Sequence, residues 1–176
     1  STSFFLYTGR RATDQAVTSE DAMTTSETYK GVLTDVDPSK LQSRTFYLGE
    51  KGEEIADYSH NFKVGTTTIK TTSFFYYEGL RADDPLVTAE SSMTMSEAYK
   101  GEFTTPDPSK LQSKTYYVGE KGDEIANYSQ NYKLGTTTIK STSFFLYTGR
   151  RATDQAVTSE DAMTTSETYK GALTDV

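Results

Sequence analysis

Few side chains in this sequence are suited to chemistry, and most fail one internal test: the chain holds a near-copy of itself in which they are replaced. His60 is the only imidazole, the group that most often serves as a general base or metal ligand near neutral pH. Seventy residues on, its place is taken by Gln130, which cannot titrate. Asp83 and Asp84 stand side by side where the earlier copy has Thr13 and Asp14, and they read as a solvated acidic loop. Carboxylates recur more faithfully around one turn, as Glu50, Glu53, Glu54 and Asp57, then as Glu120, Asp123, Glu124 and Asn127. Glycoside hydrolysis needs two carboxylates facing one substrate in a cleft, and Ca²⁺ needs about six to eight oxygens. Here Lys51 interrupts the set, no DxDxDG spacing occurs, and nothing in the pattern supplies a cleft. No catalytic residue, metal ligand or cofactor is assigned, and the chain is read as non-enzymatic.

Two patterns are suited to recognition rather than catalysis. Asn127-Tyr128-Ser129 is an N-glycosylation sequon, replaced by Asp57-Tyr58-Ser59 in the earlier copy. The aromatic runs Phe4-Phe5-Tyr7, Phe74-Phe75-Tyr77 and Phe144-Phe145-Tyr147 could stack on sugars. They read first as packing or assembly contacts between repeats, because a buried ring supplies much apolar area.

The composition fits that assignment. Cysteine is absent, so there is no disulfide framework, thiolate nucleophile or Cys-based zinc site. A formal net charge of −7 disfavours a nucleic-acid partner, which would need a basic stripe. No apolar run approaches the roughly 20 residues of a membrane-spanning helix. Thr and Ser are abundant, at 30 and 18 residues, while Ile occurs 4 times. Any core must therefore be built from rings, Val and Leu. The chain opens Ser-Thr-Ser-Phe-Phe without Met or a signal-peptide pattern, so it reads as a mature or excised segment.

The dominant feature is the repeat. Residues 1–70 and 71–140 align without a gap at 46 identical positions, and residues 1–36 match 141–176 at 35 of 36, with Val32 replaced by Ala172. The chain reads as unit A (1–70), unit B (71–140) and the first half of a third, A-type unit (141–176), expected to be completed by a neighbouring unit or chain. Exchanges between A and B mostly keep volume and polarity, as packed modules require. A weaker echo at an offset of 40 relates Ser43–Gly49 to Ser3–Gly9.

Alternation with a period of two argues for strands throughout. Thr66–Glu78 reads as one long strand bridging two units, with further strands over Glu27–Thr34, Ser43–Leu48 and Ile55–Val64. Gly49–Gly52 and Asp37–Lys40 are turns, and Val17–Met23 reads as loop. The expected fold is all-β: tandem small antiparallel sandwiches or barrels linked by long Thr- and aromatic-rich strands, with a β-solenoid as the alternative. The expected function is structural, an extracellular or cell-surface fibre, stalk or matrix that pairs with itself. The alternative is a carbohydrate-binding module or adhesin with glycan partners. Neither nucleic acid nor membrane insertion is expected.

Overall fold

The computed structural model describes residues 1–173. Its strands are β1 (Thr2–Tyr7), β2 (Arg10–Arg11), β3 (Met23–Tyr29), β4 (Leu41–Leu48), β5 (Ile55–Phe62), β6 (Ile69–Tyr77), β7 (Leu80–Arg81), β8 (Met93–Lys100), β9 (Leu111–Val118), β10 (Ile125–Tyr132), β11 (Ile139–Tyr147), β12 (Arg150–Arg151) and β13 (Met163–Lys170). All belong to one antiparallel, open sheet. The ten longer strands pair in chain order as a meander, while β2, β7 and β12 fold back on β1, β6 and β11.

The expected all-β class is observed; separate sandwiches or barrels are not. The reason lies at the unit boundaries. β5 and β6 pair Tyr58 with Phe74 and His60 with Thr72 across residue 70. β10 and β11 pair Tyr128 with Phe144 and Gln130 with Thr142 across residue 140. The sheet passes through each boundary as a continuous strand pair, with a matching bulge at Asn61/Phe62 and at Asn131/Tyr132, so no unit has two sheets of its own to close on each other.

Following paired residues across the strands shows how the pattern repeats. One row runs Phe4, Glu27, Arg44, His60, Thr72, Tyr99. The next runs Phe74, Glu97, Lys114, Gln130, Thr142, Tyr169. The first row reaches Thr72, two residues short of Phe74, so each unit advances the pairing by two residues along the strand. Two residues preserve the face, which is why the same side chains return to the same side.

The two faces differ in chemistry. The face just traced carries rings and charges. The other carries small hydroxyls, as in the row Phe5, Ser26, Thr45, Ser59, Ser73. Many of these bond across strands: Thr45 Oγ1 donates to Ser59 Oγ at 3.1 Å, and Thr115 to Ser129 at the same distance. Such cross-strand hydroxyl pairs stabilise a sheet and account for much of the Thr and Ser excess.

Each face also buries a small apolar cluster. Phe74, Tyr99 and Leu111 pack with Tyr58, Tyr76 and Phe103 on the ring-bearing face. Ile55, Tyr77 and Ala82 pack with Phe75, Val87 and Met93 on the other. Phe103, Ala82 and Val87 come from the connections after β8 and β7, so loops supply the cover that a second sheet would otherwise give.

All four expected strands differ in their bounds: β4 starts at Leu41 rather than Ser43, and β5 ends at Phe62 rather than Val64. The bridging strand starts at Ile69 rather than Thr66, because Lys63–Thr68 forms a turn: Lys63 N–H donates to Thr68 O at 2.9 Å, and Thr66 Oγ1 to Lys63 O at 2.8 Å. The strand expected over Glu27–Thr34 lies at Met23–Tyr29, ended by Gly31 with φ +89°. The turn at Asp37 is a short 3-10 turn, Pro38–Lys40, in which Ser39 N–H donates to the Asp37 carboxylate.

Candidate functional site

The most elaborate polar arrangement is on the ring-bearing face, at the start of each row. Three tight returns set it up. Thr8-Gly9, Glu78-Gly79 and Thr148-Gly149 all have positive φ, at 48° and 81°, 52° and 86°, and 50° and 82°. Paired positive φ values are those of a two-residue hairpin turn whose twist matches its strands. Each turn sends the chain straight back and lays an arginine over the ring of a phenylalanine. Arg11 lies 3.9 Å from the centroid of Phe4, Arg81 4.4 Å from Phe74, and Arg151 3.9 Å from Phe144. A guanidinium on a ring face is attracted by the ring quadrupole, while its aliphatic stem shields the ring from water. Phe74 and Phe144 are completely buried. Arg81 also forms an ion pair with Asp57 in the preceding unit, and Arg151 Nη2 donates to Asn127 Oδ1 at 3.1 Å.

Beside each Phe stands a glutamate. Glu27 accepts from Arg44 Nε and Nη2 at 2.8 and 2.5 Å and from Tyr29 OH at 2.7 Å. Glu97 accepts from Lys114 Nζ at 2.5 Å, and from Tyr76 and Tyr99 hydroxyls at 2.6 and 2.5 Å. Glu97 is only 5% exposed. Burial alone would raise its pKa, but the bonds from Lys114, Tyr76 and Tyr99 outweigh that and hold the carboxyl below its ordinary 4.5. Burial, then the Glu97 carboxylate, pushes both tyrosines above their ordinary 10. Lys114 is opposed by burial, yet its bond to Glu97 leaves it raised. The carboxylate is thus charged and saturated with donors, the state of a structural anchor rather than of a proton shuttle.

A third recurring device is a threonine clamp. Thr72 Oγ1 donates to Gly101 O at 2.8 Å and accepts from Phe103 N–H at 3.1 Å. Thr2 does the same with Gly31 and Leu33, and Thr142 with Gly171 and Leu173. The clamp pins the connection after β3, β8 or β13 to the strand two places earlier in the chain.

The aromatic residues picked out from the sequence divide between the two faces. Phe4, Phe74 and Phe144 lie under the arginines. Tyr77 and Tyr147 are buried, and their hydroxyls donate to Ala56 O and Ala126 O at 2.8 Å, each contact crossing a unit boundary. Phe75 packs on the Ile55 cluster, and Phe5 is 48% exposed. Phe145 lies on β11 opposite Ser166. Asn127, the sequon asparagine, is 8% exposed, and its Oδ1 accepts from Arg151. His60 is buried, with Nε2 3.1 Å from Phe103 O. The acidic turn is organised by backbone: Glu54 accepts from Met23 N–H at 3.0 Å and Gly52 N–H at 2.9 Å.

Glu27, Glu97, Arg44, Lys114, Arg81 and Thr72 went unremarked in the sequence reading. Their signal was present, since Glu27, Glu97 and Glu167 are identical at the 70-residue period, as are Arg11, Arg81 and Arg151, while Arg44 and Lys114 keep their charge.

Surface clefts also recur at the period. One of 580 Å³ is lined by Phe62, Val64, Ile69, Lys63, Lys70 and Lys100, and its counterpart of 600 Å³ by the residues 70 positions on. Among the described residues no group of three or more His, Cys, Asp or Glu could hold a metal ion, and no helix is long and apolar enough to cross a membrane. No family model, no curated protein and no solved structure matches this chain.

Proposed function

We propose that this chain is a structural repeat protein, non-enzymatic, whose units build an extracellular or cell-surface fibre, stalk or matrix by extending one sheet strand by strand. The observation that carries this reading is the strand pairing that continues across residues 70 and 140 and is the same at equivalent positions of both boundaries. A unit boundary is an ordinary strand pair, so adding a unit lengthens the sheet without creating a hinge. The buried tyrosine contacts to Ala56 and Ala126 and the ion pair between Arg81 and Asp57 fasten successive units through side chains as well. Stability in such an array grows by nearest-neighbour terms. Three of the rings that would serve a carbohydrate-binding reading are engaged elsewhere: Phe4, Phe74 and Phe144 each face a guanidinium.

Each full unit contributes four longer strands, and strands lie about 4.8 Å apart, so each unit adds about 19 Å. Small-angle scattering on this chain and on versions carrying one and two further 70-residue units tests the reading. The expected result is a maximum dimension rising by about 19 Å per unit at constant cross-section. A dimension growing only as the cube root of mass, or glycan-array binding that scales with unit number, would overturn it.

A further inference from the structure

The two ends of the strands carry opposite charge, and the difference recurs from unit to unit. Among the described residues, the end formed by 30–40, 63–70, 100–110, 133–140 and 170–173 holds nine lysines and four carboxylates. The end formed by 8–22, 49–54, 78–92, 119–124 and 148–162 holds 7 basic and 16 acidic residues. The two recurring clefts lie at the lysine end. Lys63, Lys70 and Lys100 line one with Val64, and Lys133, Lys140 and Lys170 line the other with Leu134. All six lysines are exposed, and none forms an ion pair among the described residues. Val64 and Leu134 are 58% and 45% exposed. At the acidic end Leu86 is 76% exposed, on the loop that carries Asp83, Asp84 and Glu90. Each end thus shows apolar side chains among charges of one sign, the arrangement of core and rim in an association surface.

We infer that the lysine end is a docking surface for the acidic end of a second copy of this chain, so that arrays join side by side with their strands in line. This rests on the structural reading above and adds a lateral contact to it. The charges that would meet are complementary within one molecule, so two copies need no third component. Both ends belong to the same strands, so their charges repeat at one spacing of about 19 Å per unit. A cleft that meets an acidic loop of the second copy therefore brings the next cleft to the equivalent loop. The contact joins two different surfaces, so every pair keeps one free end of each kind and lateral growth does not close on itself. An exposed ion pair shifts an equilibrium by only about twofold. Strength must come from repetition, and association should steepen with the number of units.

Sedimentation velocity on the 176-residue chain tests the contact at about 0.01 M salt, where the screening length is about 30 Å, and at about 1 M, where it is about 3 Å. The expected result is concentration-dependent association at low salt that is lost at high salt. A chain carrying Lys63→Glu, Lys70→Glu, Lys133→Glu and Lys140→Glu keeps only its acidic end. One carrying Glu50→Lys, Asp83→Lys, Glu90→Lys and Glu120→Lys keeps only its lysine end. Each alone should associate more than about tenfold more weakly than the parent, while an equal mixture should form a one-to-one complex. All eight positions are exposed, and circular dichroism confirms that each variant folds. Zero-length carbodiimide cross-linking locates the joint. Strands of 8 residues at about 3.3 Å each set the two ends about 26 Å apart, so a link from Lys63 to Glu50 can only join two molecules. A chain that stays monomeric at low salt, a mixture that does not pair, cross-links confined to one end, or a monomer whose lysine end takes up dextran sulfate instead would each overturn the inference. The scattering series run at about 1 M salt reports the growth of single arrays in any of those cases, so failure here is distinguishable from failure of the structural reading.

Discussion

The threonine clamp shows how much a single hydroxyl decides in a sheet with no second layer. Thr72 is completely buried, and its one oxygen satisfies both a carbonyl and an amide of the connection that carries Phe103. Valine has nearly the same shape but can do neither. Thr72→Val would strand Gly101 C=O and Phe103 N–H beneath their own loop, at about 1–3 kcal/mol for each buried group left without a partner. Thr72→Ser keeps the oxygen and loses only a methyl, about 1 kcal/mol. Urea unfolding of the two variants should therefore rank valine well below serine. If valine matched serine, the clamp would be a packing contact and its hydrogen bonds immaterial. The oxygen could be predicted to matter only once Thr72 was placed against Gly101. In sequence it is one of 30 threonines.

At the scale of elements, legibility followed the turns. Ser43–Leu48 and Ile55–Val64 were readable as strands because Gly49–Gly52 separates them, and the structure shows why glycine stands at the start of that turn. A Cβ on Gly49 would lie 2.4 Å from Glu53 O, at φ +114°, whereas one on Gly52 would meet nothing within 4 Å. Gly52→Ala should cost about 1–2 kcal/mol for the left-handed conformation alone. Gly49→Ala adds a backbone collision, so it should lower the thermal midpoint clearly further. Equal midpoints would mean that the β4–β5 hairpin yields easily at that point. Less legible was β3, since Met23-Thr24-Thr25-Ser26 looks like loop until its hydroxyls are seen paired across the sheet, Ser26 Oγ with Tyr47 OH at 3.0 Å. The single layer was hidden for a related reason. Alternation with a period of two marks strands without saying whether they close into sandwiches or barrels. In the fold both faces are half-covered, one by arginine stems and Phe103, the other by Ala82 and Val87. The glutamate sites were hidden because several of their donors come from other strands, Arg44 on β4 for Glu27, and Tyr76 on β6 and Lys114 on β9 for Glu97.

Across the whole molecule, charge is sorted by position. The connections at one end of the strands (8–22, 49–54, 78–92, 119–124 and 148–162) carry 16 acidic and 7 basic residues, while nine of the ten remaining lysines, all but Lys114, fall at the opposite end together with the lysine-lined clefts. Two views of the pH dependence of stability then part company. If repulsion among like charges governed, stability would peak near the sequence pI of about 4.8. The paired groups argue otherwise. Glu97, Glu54, Asp21, Asp37 and Asp107 are all held below their ordinary values, Glu97 by Lys114 and two tyrosines against burial, the others chiefly by hydrogen bonds from backbone or hydroxyl donors. A carboxyl lowered in the folded state stabilises it above its unfolded pKa, and that contribution is lost as pH falls through the folded value. Tyr77, pushed by burial up to about 12, and Lys114, Tyr76 and Tyr99, also raised, contribute below their unfolded values near 10 and lose that contribution as pH rises further. The thermal midpoint should therefore be flat between about pH 5 and 9.5 and fall on both sides, already declining at the pI. Glu97→Gln should lower the plateau and make the acid side shallower, because the most buried of these carboxyls no longer takes up a proton on unfolding. A maximum at pH 4.8, unchanged in the Glu97→Gln chain, would show that net charge rather than the paired carboxylates sets the stability of the sheet.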